Sequence, residues 1–324
     1  MNLEFKITQK EIKITIALLF FSLIAFFAFK SALYFESQYE ESLIHRENIL
    51  GILVPVNDPF NGLSLSAKSF FVWDMQKEKK LGSLNEELQF PLASLTKLMT
   101  ILVASESSFY EATVEIGQDD LDIDGDYGLI AGEKWRLSDI IDFVLLTSSN
   151  DGAHALASLT GAFSSELNNQ TKEELFVDMM NKKAKQLGMS QTYFLNGTGL
   201  DVSKTVSGAY GSAKDITILV ENIAQEYPNL LEVSSYKETE LNSDILVHQI
   251  SNTNQAVETL PNIVASKTGF TDLAGGNLTV IFDAGIGHEI IISVLGSTKE
   301  ERFSDVEKLI WASLEKIFKE NQIL

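Results

Sequence analysis

The sequence predicts an α+β domain held behind one membrane-spanning helix. Three observations carry this. Apolar, β-branched runs lie near both ends of the domain, amphipathic helical patterns lie between them, and a separate apolar run sits close to the N-terminus. The chain has 324 residues, 45% hydrophobic with five prolines, enough for one sizeable core.

In chain order, Lys6, Lys10 and Lys13 precede an unbroken apolar run from Ile14 to Phe29, which resumes after Lys30 through Phe35. With Lys30 snorkelling, 14–35 reaches the roughly 20 residues needed to cross a bilayer. A cleavable signal would need small residues at the cut and two before it. Ala28 is preceded two back by Phe26, and Ala32 by Lys30, so an uncleaved anchor is expected. The flanking lysines keep residues 1–13 in the cytoplasm and send the remainder outside. Residues 36–60, with Glu36, Glu40, Glu41 and Glu47 and then Pro55, Asp58 and Pro59, read as a stalk, and 61–324 as the folded domain.

Ser69–Asp74 reads as a strand, and Lys77–Gly82 as a charged turn into its partner. After Pro91, Leu98, Ile101 and Leu102 recur at helical spacing, which puts Ser94 near a helix start. Val114–Ile116 is a short strand. Ser138 is expected to cap a helix carrying Ile140, Ile141, Val144 and Leu145 inward; the helix breaks at Thr147–Gly152, and a second runs to about Gly161. Further helices are predicted over Lys172–Leu187, ended by Gly188, and over Tyr210–Tyr227. Asn196–Gly199 is a turn. Ile263–Ala265, Asn277–Phe282 and Glu289–Leu295 read as adjacent antiparallel strands. Ser304-Asp305-Val306-Glu307 resembles a capping box opening a final helix.

The formal charge of −20 excludes a nucleic-acid backbone or an anionic membrane surface as main partner. Zero cysteines exclude disulfides, thiolate catalysis and cysteine-bound zinc. The four histidines form no metal spacing. Asp120-x-Asp122-x-Asp124-Gly125 starts like a calcium loop but has Ala131 at its twelfth position, so a solvated acidic loop is expected. No metal or cofactor is implied.

Three short patterns can carry chemistry. Ser94 and Lys97 stand one helical turn apart, a hydroxyl beside an amine that could activate it without histidine. The spacing alone is weak, because Ser234/Lys237 and Ser313/Lys316 share it. Ser148-Ser149-Asn150, in a break between apolar helices, offers a hydroxyl to pass a proton and an amide to hold one in place. Lys267-Thr268-Gly269, beside an apolar run, offers an ammonium and a hydroxyl to an anion, with a glycine allowing close backbone approach.

In this order, the three resemble the penicillin-recognising serine acyl-transferases. The chain is similar in particular to the D-alanyl-D-alanine carboxypeptidase family of low-molecular-mass penicillin-binding proteins. Pro91–Thr100 follows that family's nucleophile segment almost throughout. Gly132-Glu133-Lys134, Leu145-Leu146, Leu187-Gly188-Met189, Asn196–Asp201, Asn252-Thr253-Asn254 and Lys267–Thr271 also match, so the resemblance spans roughly 65–315. Ser149 stands where glycine is usual, and Phe270 where tyrosine or histidine is frequent. Many members carry an added C-terminal β-rich domain and a C-terminal anchor, neither of which this sequence shows.

The resemblance implies a β-lactamase/transpeptidase-like fold, with an antiparallel sheet flanked by helices and a mostly helical subdomain. It implies a serine D,D-carboxypeptidase facing outward from a bacterial cytoplasmic membrane. The substrate would be peptidoglycan stem peptides ending in D-Ala-D-Ala, with β-lactams as inhibitors. Ser94 would be the nucleophile, Lys97 its base, Ser148 the proton relay, and Asn150 the group positioning Lys97 and the substrate amide. Lys267, Thr268, Gly269, Phe270 and Arg302 would bind substrate, with the N–H groups of Ser94 and Phe270 as oxyanion hole. An ordinary lysine pKa near 10.4 would leave Lys97 protonated, so burial and the nearby Lys267 must both lower it. A class A β-lactamase is excluded, since its deacylating glutamate would fall at Ser164. A D,D-endopeptidase on peptidoglycan crosslinks would use the same groups. A non-catalytic penicillin-binding sensor remains the alternative of a different class.

Overall fold

The computed structural model describes residues 29–30, 58–107, 112–125, 127–164 and 171–323. The expected cytoplasmic tail, the anchor apart from Phe29 and Lys30, and the stalk before Asp58 lie outside the described residues. Met1–Asp58 and Pro59–Leu324 form separate units. Among the described residues, no helix is long and apolar enough to cross a membrane.

The second unit is built on β-branched segments distant in sequence. Strands β1 (Ser69–Asp74), β2 (Lys79–Leu84), β10 (Ile263–Thr271), β11 (Gly275–Asp283) and β12 (Glu289–Ser297) form one antiparallel sheet, ordered β10-β11-β12-β1-β2. Period-two alternation sends successive side chains to opposite faces, and both faces are covered. Phe70, Val72, Leu278, Val280, Ile292 and Val294 pack against Val306, Leu309, Ile310 and Ile317 of the last helix. Phe71, Ile281, Ile291 and Leu295 face the larger helical layer.

That layer comprises α1 (Thr96–Ser107), the single turn α2 (Gln118–Leu121), α3 (Leu137–Thr147), α4 (Asn150–Ser164), α5 (Lys172–Gln186) and α6 (Ala213–Glu226), with α7 (Glu301–Ile323) on the other side. Every residue of α1 from Thr96 to Ala104 is buried, the signature of a helix inside a core rather than on its surface. Smaller sheets pair β4 (Thr113–Glu115) with β5 (Lys134–Arg136), β8 (Glu238–Asn242) with β9 (Val247–Ser251), and join β3 (Phe90–Pro91), β7 (Ala209–Gly211) and β6 (Tyr193–Phe194).

Several element ends differ from the expectation. Helix α3 starts at Leu137 with Arg136, not Ser138, as its N-cap, because β5 runs straight into it and Leu137 N–H bonds Ala112 O at 3.0 Å. The predicted helix from Tyr210 begins at Ala213; Ala209–Gly211 pairs as β7, and Ser212 Oγ caps α6 by accepting from Asp215 N–H. Ser304 is not a cap. Helix α7 starts three residues earlier, where Thr298 Oγ1 accepts from Glu301 N–H at 3.0 Å. Asp305 turns inward instead, accepting from Ser66 N–H, Ala67 N–H and Ser297 Oγ.

Candidate active site

The site begins at a tight turn. A 3-10 turn over Ala93–Leu95 precedes α1, and Ala93 has φ 49°, a left-handed conformation that an alanine rarely adopts. The turn leaves Ser94 half-buried and lays Lys97, fully buried, in the first turn of α1. Lys97 Nζ lies 2.7 Å from Asn150 Oδ1, 2.7 Å from the Thr198 carbonyl and 3.0 Å from Ser94 Oγ. Two of its protons are thus committed to strict acceptors, and the third direction faces a hydroxyl. A neutral amine would aim its lone pair at Ser94 O–H.

Burial supplies that neutral form. It brings the Lys97 pKa down from 10.5 to about 7, opposed by the Asp151 carboxylate. The two buried lysines also repel each other, and Lys267 is depressed in the same direction. That ammonium is held well below its usual value by burial first, then by Lys97 and Arg302.

Ser148 and Asn150 stand at the junction of α3 and α4. Ser148 caps α3 in the left-handed region (φ 64°), and Ser149 Oγ accepts from Gly152 N–H at 2.9 Å. The serine in the middle of the pattern therefore caps α4. Asn150 is saturated by the protein: Oδ1 accepts from Lys97, while Nδ2 donates to Asp124 O at 2.7 Å and Tyr127 Oη at 3.0 Å. It bonds Lys97 directly, and in this arrangement neither of its protons is left for a substrate amide. Tyr127 and the Thr198 carbonyl escaped sequence reasoning. The second could have been suspected from the turn at Asn196–Gly199.

Strand β10 forms the opposite wall. The expected strand stopped at Ala265, but β10 continues through Lys267-Thr268-Gly269 to Thr271 and is the sheet's edge. Lys267 Nζ donates to Ser148 Oγ at 2.8 Å and to Thr268 O at 3.0 Å, and Thr268 Oγ1 donates to Thr253 Oγ1 at 2.6 Å. A Cβ at Gly269 would come within 2.9 Å of Leu92 O and 3.3 Å of Ser94 N, so only glycine lets the strand lie this close to the turn.

Ser266 N–H donates outward to Ser234 Oγ at 3.0 Å, and the β10–β11 register is continuous from Ser266 to Thr271. Backbone directions alternate along a strand, so Thr268 and Phe270 N–H also point to the outer edge. The Phe270 side chain is 40% exposed, with Lys299 Nζ 5.1 Å from its ring centre. Arg302, in the first turn of α7, is buried; Nη1 donates to Gly269 O at 2.8 Å, and Nε has no hydrogen-bond partner among the described residues. Burial lowers its pKa to about 10. Three basic side chains, Lys97, Lys267 and Arg302, thus gather at one site in a chain whose total is −20.

The other Ser/Lys spacings assemble nothing comparable. Lys237 pairs with Glu258 at 2.8 Å, and Lys316 donates to Leu81 O at 2.7 Å. In the acidic loop, Asp120 accepts from Gly117 N–H and lies 2.6 Å from His154 Nδ1, which ties α4 to that loop.

A family model described as D-alanyl-D-alanine carboxypeptidase matches residues 56–299. The D-alanyl-D-alanine carboxypeptidase DacF of Bacillus subtilis is 28% identical over 256 residues, 76% of this chain and 62% of DacF. The chain therefore spans about three-fifths of that relative's length. The D-alanyl-D-alanine endopeptidase of Escherichia coli is 28% identical over 256 residues, 76% of each chain. Penicillin-binding protein D2 from Listeria monocytogenes, solved with ampicillin bound, superposes with a TM-score of 0.66 at 28% identity, covering 78% of this chain and 98% of that one.

Proposed function

The chain belongs to the D-alanyl-D-alanine carboxypeptidase family, and from that premise we propose that it is a serine D,D-carboxypeptidase trimming peptidoglycan stem peptides. The observation that carries this is the buried Lys97, its pKa near 7 and its Nζ 3.0 Å from Ser94 Oγ. Lys97 accepts the Ser94 proton as Oγ attacks the carbonyl of the penultimate D-alanine. The N–H groups of Ser94 and Phe270 receive the developing oxyanion; one such donor is typically worth on the order of 10²–10³ in rate. Collapse expels D-alanine, whose amine takes its proton through Ser148, and water then hydrolyses the ester on Ser94. Lys267, Thr268 and Arg302 hold the terminal carboxylate, which makes a free C-terminus a requirement. β-Lactams acylate the same serine.

The apolar run 14–35, with lysines before it, supports an anchor in the cytoplasmic membrane, N-terminus inside and the catalytic unit outside. A D,D-endopeptidase is the second reading, favoured by the equal coverage of the endopeptidase relative.

The test incubates the full chain with a fluorescent penicillin and with a pentapeptide ending in D-Ala-D-Ala. Ser94 should be labelled and D-alanine released. Absence of both sinks the enzyme. Cleavage confined to crosslinked dimers gives the endopeptidase, and labelling without any cleavage gives a sensor.

A further inference from the structure

We infer that Asn277 is a positioning residue of this site, holding the two halves of the oxyanion hole in register without touching the substrate. The inference rests on the catalytic reading above. Asn277 lies on β11, opposite Gly269 of β10 in the register, and is fully buried. The β11–β12 ladder is irregular between Gly276 and Leu278: Leu295 and Gly296 of β12 both face Asn277, so the bulge lies on β12, with Gly296 at φ 67°, directly opposite Asn277. Bulges re-aim side chains, often beside active sites. Here Oδ1 takes the Gly296 N–H at 2.9 Å. Nδ2 is thereby turned toward the nucleophile turn, donating to Pro91 O at 2.9 Å and Leu92 O at 3.0 Å.

Those two carbonyls lead directly into the turn that carries Ser94. Leu92 O also accepts from Leu95 N–H at 3.2 Å, closing that 3-10 turn. It is the atom against which Gly269 is pressed as well. One amide therefore fixes the Ser94 N–H relative to the sheet whose edge strand supplies the Phe270 N–H. A buried carboxamide with both protons and its oxygen engaged is costly to replace, since each carbonyl it leaves would be buried with one partner fewer.

Asn277→Asp replaces both donors by an acceptor at nearly constant shape. In the full-length chain, penicillin acylation of Ser94 should slow by about 10²-fold, the scale of a small misplacement of reacting groups. The KM for the pentapeptide should move by less than about threefold, because the carboxylate-binding groups are untouched. The ester carbonyl of the penicilloyl-enzyme, followed by infrared difference spectroscopy, should shift to higher wavenumber as its hydrogen bonds lengthen. If that variant does not fold, Asn277→Ser, which keeps one donor, should show the same band shift and a smaller rate loss. A folded variant acylated at the wild-type rate, with the band unmoved, overturns the inference alone. Wild-type protein that forms no penicilloyl-enzyme removes the catalytic reading and this role with it.

Discussion

A lysine can serve as a base only where its proton is already easily lost. At Lys97 that condition comes from burial, which takes its pKa from 10.5 to about 7. Acylation should accordingly rise through a midpoint near pH 7, and Lys97→Ala should abolish labelling at neutral pH. A midpoint near 10, or substantial labelling of the variant, would assign the base elsewhere. Stability follows the same shift with a definite sign. Between about pH 7 and 10.5 the unfolded chain holds a proton that the folded chain has released, so stability rises with pH across that window. Lys97→Met should flatten the rise in melting temperature. His154 acts oppositely. Its hydrogen bond to Asp120 raises its pKa above 6.5, so that stabilisation is complete below pH 6.5 and fades as pH climbs through the raised value. His154→Gln should remove this loss.

The candidate side chains were legible because few residue types can do such work, and the fold brings Lys97 to Ser94 and Lys267 to Ser148. Asn277 and Tyr127 were not legible, and the Thr198 carbonyl was signalled only as part of the turn at Asn196–Gly199. A bulge and a backbone oxygen leave no residue-type signature, and what selects them is a contact between segments far apart in sequence.

At the scale of elements, two short segments transmit the fold to the site. The turn at Asn196–Gly199 delivers the Thr198 carbonyl to Lys97, and Gly199 has φ 80°. A Cβ there would stand 2.0 Å from Ala93 O, a backbone atom that cannot yield without moving the nucleophile turn. Gly199→Ala should cost at least about 1–2 kcal/mol for the left-handed conformation alone. Penicillin acylation should fall with it, and a variant with unchanged melting temperature would contradict this. The start of α7 departs from its local pattern because Ser304-Asp305-Val306-Glu307 has the form of a cap, while Asp305 is claimed by tertiary partners. Its buried carboxylate takes two backbone N–H groups, from Ser66 and Ala67, and the Ser297 hydroxyl. Asp305→Ala should destabilise by about 2–3 kcal/mol, the range for charge-assisted bonds left unmade, measured by denaturant unfolding. The same logic hid the length of β10, since Lys267 looks like a strand end until the helical layer covers it.

For the whole molecule, the α+β class was readable because strands near both ends must pair across the helices between them. Which strand lies at the edge was not, because strand order is a tertiary choice. That choice puts β10 beside the Ser94 turn, with its outer edge unpaired by any other strand of the sheet. Among the described residues, both apolar clusters, on the two faces of the sheet, lie within Pro59–Leu324, as do the groups around Ser94. That unit therefore has its own core, and membrane attachment is the role proposed for the N-terminal apolar run. The full chain should stay with membranes after an alkaline carbonate wash. A chain lacking residues 1–35 should be soluble and label with fluorescent penicillin at the full-length rate. Release of the full chain by carbonate would refute the anchor. Loss of labelling on truncation would show that the catalytic unit depends on the segment before it.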